Sequence, residues 1–289
     1  MSEAVVFVPA ARRRSPMARF LVRNRRIAIG GGIILLMVVL AAAAPLYAGN
    51  PTAMNPIVRL EAPRAAHWFG TDSLGRDVFA RTAYGAQISL AIGFSVMVLA
   101  VAIGMLIGLA AGYYRRVDGI VMRLMDALMS MPAILLAIAL VALTRAGVGV
   151  VIIAILLPEF PREVRLVRAV VLSVREQPFV EAAIAGGART RKVMLRHILP
   201  STFAPLTVQG TYVCAKAILI AAALSYLGAG VPPEIPTWGN MIASSELYLG
   251  LAPWTVFFPG VALVILVLAV NLLGDGLRDL LDPRLARSL

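Results

Sequence analysis

Few residues of this 289-residue chain have types and spacing that could do chemistry. It has two histidines, His67 and His197, and one cysteine, Cys214. A lone cysteine excludes an internal disulfide, and no cluster of His, Cys, Asp or Glu has metal-ligand spacing. Cys214 lies in an apolar stretch and reads as a small packing residue. Asp72, Arg76 and Asp77 form a charged cluster in a Gly-rich segment. A turn held by local polar bonds accounts for it better than metal binding or acid chemistry, and His67 reads as a loop residue. No G-x-x-x-x-G-K-[ST] phosphate loop is present, so nucleotide hydrolysis is not expected of this chain. Its apolar segments carry no paired Asp, Ser/His set or H-E-x-x-H, which argues against an enzyme working inside a membrane. Lys216 is the exception, a lone charge within an apolar run. A charge in such a place is a functional hypothesis by default. Two readings stay open: a structural bond to a neighbouring carbonyl or snorkelling, and a pathway position that attracts an anionic group.

Residues 173–202, SVREQPFVEAAIAGGARTRKVMLRHILPST, are the most informative stretch. Pro178 suits the first turn of a helix, where its missing N–H costs little. Glu181 falls near that start, where the macrodipole favours negative charge. Glu181 to Ala185 are helix formers, and Gly186 and Gly187 then break the run. A second short helix is expected over about Thr190–Leu199, ending before Pro200. The segment reads as a compact helix–turn–helix of small residues.

The elements that position it follow from composition. The chain is 60% hydrophobic and 15% charged, against about 25% charged in a soluble domain. Apolar runs of membrane-spanning length recur. The ten-residue alternation of an outer-membrane barrel is absent. Backbone groups in lipid must satisfy one another, so the spans should be helices. An all-α polytopic protein of about six spans is expected, as one membrane domain over 27–284. The spans fall at about Ile27–Tyr47, Ile88–Gly112, Met122–Leu143 with Pro132 as a kink, Gly147 onward, Phe203–Ala223 and Thr255–Leu273. The fourth is interrupted by Pro158, Glu159, Pro161, Arg162 and Glu163, so it must finish in a polar, packed end. The first is longer than a signal-peptide core and reads as an uncleaved anchor. On the second, Gly104, Gly108 and Gly112 recur every four residues, a groove that lets another helix approach closely.

The formal charge is +12, which raises nucleic-acid binding. The placement of the charges argues otherwise. Twenty-one of the 27 basic residues fall in the segment 1–26, the loop 113–126, the segment 162–196 and the end of the chain. Only Arg59, Arg64, Arg76, Arg81 and Arg145 fall on the other side. The positive-inside rule then places both termini and residues 173–202 in the cytoplasm, with a short tail at 285–289. Residues 48–87 and 225–254 become external loops. The basic balance is that of a multi-pass membrane protein in a bilayer, with no nucleic-acid partner.

The spacing within 173–202 resembles the EAA signature of binding-protein-dependent ABC importer permeases. Glu181, Ala182, Ala183, Gly187, Leu199 and Pro200 match that pattern, and His197 occupies its apolar position in an HILP ending common in the dipeptide and oligopeptide branch. Residues 67–93, 225–242 and 271–284 are similar to segments of the C-type permease subunit of peptide and nickel importers. The resemblance implies a type I ABC importer permease fold with a cytoplasmic coupling helix, in a bacterial inner membrane. It implies a second homologous permease subunit, two ATPase subunits that carry ATP and Mg, and an external solute-binding protein. This chain would itself bind no cofactor and form half of a pathway for di- or oligopeptides, with nickel chelates, glutathione or another small solute as variants. A self-contained secondary transporter would want inverted repeats and broken spans, and neither is expected. One departure stands out: Ala221 occupies a place that is often acidic in this branch, with Lys216 five residues before it.

Overall fold

The computed structural model describes residues 24–144 and 147–281. The basic segment 1–23, Arg145 and the tail 285–289 lie outside the described residues. Among the described residues every named element is helical. The helices are α1 (Arg25–Tyr47), α2 (Val78–Tyr113), α3 (Arg115–Met129), α4 (Ala133–Ala142), α5 (Val148–Arg175), α6 (Pro178–Ala185), α7 (Thr190–Lys192), α8 (Pro200–Tyr226), α9 (Trp238–Ser245) and α10 (Trp254–Leu281). α1, α2, α8 and α10 are long and apolar enough to cross a bilayer. α3 and α4 pass the same test only together.

The sequence patterning meets three corrections. The third span is not one kinked helix: α3 and α4 meet at 84° across Ser130–Pro132. Pro132 removes a backbone donor and pushes Met131 out of the helical region. α3 is amphipathic, with Arg115, Arg116, Asp118, Arg123 and Asp126 along it. Ten-residue α4 is only about 15 Å long, half a hydrocarbon core. The break at Pro132 is thus far sharper than a kink within one straight span. Second, α2 begins ten residues before its apolar run, inside the expected loop 48–87. Asp77 caps it, its carboxylate accepting from the Ala80 N–H at 2.9 Å, and α2 extends for about 54 Å. Third, the expected loop 225–254 contains α9. Trp238 at its start is buried, its indole donating to the Thr82 carbonyl at 3.0 Å.

α5 runs unbroken through Pro158 and Pro161, both buried. Prolines three residues apart withdraw two N–H groups from the ladder, and packing on neighbouring helices carries the helix across. Its polar end is packed: Glu159 and Glu163 are buried at 1% and 0% exposure. Arg162, expected beyond the span, sits within this helix.

The charged cluster of the first loop is a turn. The buried Asp72 carboxylate accepts from the N–H groups of Leu74 and Arg76, each at 2.9 Å, and from Arg76 Nε at 2.6 Å. His67 Nδ1 pairs with Asp77 Oδ2 at 2.8 Å.

Candidate coupling surface and intramembrane charges

α6 protrudes from the bundle on a rigid footing. Pro178 takes its first position and Glu181 its first turn. Val180 is fully buried, as are Val193 and Ile198 in the following turn. These three pack with Val167 and Val171 of α5, Leu109 of α2 and Leu206 of α8 in one cluster. The short helix is therefore bolted to three long ones. Its other face is open: Phe179, Glu181, Ala182 and Ile184 are exposed, and Ala183 is half-buried.

The end of α6 is fixed by backbone geometry. The Ala188 N–H donates to the Ala183 carbonyl at 3.0 Å and the Gly187 N–H to the Ile184 carbonyl at 2.9 Å. That pair of bonds is a Schellman motif, which needs a left-handed residue at its penultimate position. Gly187 supplies it, with φ +79°. A Cβ on Gly187 would meet nothing within 4 Å in this chain. Gly187 thus answers a backbone requirement here, and its open surroundings leave room for a partner.

The expected second helix, Thr190–Leu199, differs in kind. After α7 the chain forms a π-helical turn, Val193–Ile198, that runs straight into α8. The Leu199 N–H reaches back to the Met194 carbonyl at 2.8 Å. Pro200 has no N–H to give, and its ring would crowd the carbonyl four residues back. Widening the turn relieves that crowding. His197 lies in this turn, half-buried, and Leu199 packs against the cluster beneath α6. Glu181, Ala182, Ala183, Gly187, His197, Leu199 and Pro200 thus belong to one continuous projection.

Lys216 has a partner that sequence patterning missed. Its Nζ lies 2.7 Å from Glu159 Oε1, so it is ion-paired with a carboxylate of α5, not bonded to a carbonyl. Arg162 Nη1 approaches the other oxygen, Oε2, at 3.4 Å. One turn on, Glu163 is fully covered, with Gln209 of α8 as its polar neighbour. The signal was in the sequence: Glu159 and Glu163 share one face of a helix, inside the stretch that interrupts the fourth span.

Gly104, Gly108 and Gly112 line the α2 face against α5. A Cβ on Gly108 would lie 2.7 Å from the Val164 carbonyl oxygen and from Val167 Cβ, and one on Gly112 2.6 Å from Val171 Cβ. Towards α3, α5 is pinned by ion pairs between Arg168 and Asp118 and between Arg165 and Asp126. Among the described residues no group of three or more His, Cys, Asp or Glu is placed to hold a metal ion.

Residues 100–287 match the family model described as binding-protein-dependent transport system inner membrane component. A probable peptide ABC transporter permease protein of Sinorhizobium fredii is 59% identical, over 94% of this chain and 93% of its own. A dipeptide transport system permease protein of Alkalihalophilus pseudofirmus is 43% identical, over 92% and 88%. A glutathione transport system permease protein of Escherichia coli is 44% identical, over 77% and 74%. Among solved structures, an inward-facing conformation of the MetNI methionine ABC transporter aligns with TM-score 0.50 at 22% identity, over 71% of this chain and 94% of that one. That likeness is one of fold.

Proposed function

Since this chain belongs to the binding-protein-dependent transport system inner membrane components, we propose that it is a permease subunit carrying di- or oligopeptides through a pathway shared with a second, homologous permease. The chain is a multi-pass component of an ABC importer, and its family is one of permeases rather than catalysts. Relatives named for peptides and dipeptides favour the peptide reading. A glutathione permease among them keeps that modified tripeptide as a second substrate.

The observation that carries the mechanism is the footing of α6. Glu181 and Ala182 are presented on a short helix locked to α2, α5 and α8 through Val180, Val193 and Ile198. A partner closing around α6 would move three long helices together, because packed interiors transmit displacement rather than absorb it. We assign that partner as one of two ATPase subunits, holding ATP and Mg on its own residues. A binding protein would deliver solute on the opposite side, and both termini would be cytoplasmic.

The test is reconstitution of the chain with its partner permease, ATPases and binding protein in vesicles. ATP-dependent peptide uptake, with hydrolysis stimulated by the loaded binding protein, is the expected result. Uptake without ATP, or by this chain alone, would overturn the proposal.

A further inference from the structure

The intramembrane charges are not balanced at the open surface. Glu159 is 1% exposed, and its two oxygens are taken by two cations, Lys216 on one and Arg162 on the other. Those cations are not spent: the Lys216 side chain is 37% exposed and that of Arg162 47%. An ammonium has three donors and a guanidinium five, and the contacts to Glu159 occupy a fraction of them. Glu163, the other acid of this stretch, is covered by α2 and α8 and does not reach the open face.

The depth is consistent from both helices. Lys216 lies about 15 Å from the Tyr226 end of α8, and Glu159 about 17 Å from the Val148 end of α5, at 1.5 Å per residue. These ends lie on one side, since Glu159 meets Lys216 while Glu163 meets Gln209, an antiparallel register. The pair therefore stands well inside both helices, far enough from their ends to lie within a core about 30 Å thick. Unused cationic donors at that depth call for an acceptor from outside the chain.

We propose that Lys216 and Arg162, held on opposite oxygens of Glu159, form an anion subsite that receives the carboxylate of a solute passing through the pathway. This rests on the reading that the chain lines an import pathway for peptides. Glu159 is a positioning residue: it holds both cations in place and does not touch the solute.

The test uses the complete reconstituted complex and two probes, trialanine and its carboxyl-terminal amide. The binding protein is common to all variants, so its own selectivity divides out of each variant-to-wild-type ratio. Lys216→Met should raise the KM for trialanine about tenfold, the scale of one lost charge-assisted hydrogen bond, with less than a twofold change for the amide. Lys216→Arg should restore the preference. Because Lys216→Met leaves Glu159 short of a partner, the double variant Lys216→Met/Glu159→Gln supplies a neutral pair. It should insert normally and also lose the preference for the free carboxylate. Equal changes for both probes, or none, would overturn the subsite. So would loss of the partner permease from both variants in a pull-down, which would assign the cations to a subunit contact. Failure of the wild-type complex to import either probe would instead strike the peptide-import reading, and the subsite with it.

Discussion

Glu163 of α5 lies with its Cβ against the bare Cα of Gly104 on α2, nearer than a methyl group there would allow. A buried acid is thereby held in the tightest contact between the two longest-packed helices, with Gly108 and Gly112 continuing the groove. Close backbone approach of this kind is how helices associate in lipid, where apolar side chains gain nothing by leaving it.

Gly104→Ala should therefore force α2 and α5 apart and cost about 1–3 kcal/mol by overpacking. Gly112→Ala should do the same against Val171. Gly119→Ala is the control, since nothing lies within 4 Å of that position. Thermal unfolding of the purified complex measures the difference. Equal melting temperatures for all three variants would show that close approach at Gly104 and Gly112 does not hold α2 to α5.

The α3–α5 ion pairs make a second case. Arg168 reaches Asp118 with two nitrogens, and both side chains are partly covered, at 31% and 22% exposure. Asp118→Arg should lower stability by about 1 kcal/mol, near the upper end for a pair still in reach of water. Asp118→Arg combined with Arg168→Asp should recover most of it. A double-mutant cycle with no coupling would mean that the Arg168–Asp118 pair does not hold α3 to α5.

What the sequence made legible follows from where the signal lies. Long apolar runs report helices directly, so α1, α2, α8 and α10 were visible. The α6 projection was visible through Pro178, the Glu-Ala-Ala run and Gly187, because starts and stops of helices are written locally. The bend at Pro132 was expected, but its 84° was not: the angle between α3 and α4 is set by how α3 packs on α5, a tertiary fact. The sequence put Glu159 and Glu163 on one helix face but did not say which helix that face meets, so the pairing with Lys216 was not legible. Residues 57 apart in sequence share a contact only once α5 and α8 are set antiparallel. Pro158 and Pro161 misled in the other direction, because helix-breaking propensity is overridden when packing holds the helix. The π turn before Pro200 could not be read from residue types that equally suit an α-helix.

Topology is open to chemical labelling. In a Cys214→Ala background, an impermeant thiol reagent added to intact cells should label Leu247→Cys, whose native side chain is 90% exposed in the 225–254 segment. It should leave Arg189→Cys unmodified until the membrane is breached. The split of basic residues motivates the expectation. Efficient labelling at position 189 from outside would invert the orientation.

Coupling gives the most discriminating prediction, because Gly187 separates two effects. Its φ of +79° means that any ordinary L residue there strains the turn, while a Cβ there meets nothing within 4 Å in the chain. Asn tolerates the left-handed region better than most residues, so Gly187→Asn should preserve the Schellman turn and much of the transport. Gly187→Trp both strains the turn and fills the open space, and should lower uptake at least about tenfold, equivalent to 1.4 kcal/mol or more at a coupled step. Glu181→Arg reverses the charge on the exposed face of α6 without touching Val180, and should act similarly. The permease pair should still insert, because neither change lies in a span. Uptake and solute-stimulated ATP hydrolysis are measured on the same vesicles, normalised to inserted permease. Loss of uptake with ATPase subunits absent from the complex would place the defect in docking. Loss of uptake with ATPases bound and hydrolysing would place it in transmission through Val180, Val193 and Ile198. Normal uptake with normal stimulation in both Gly187→Trp and Glu181→Arg would remove α6 from the coupling path.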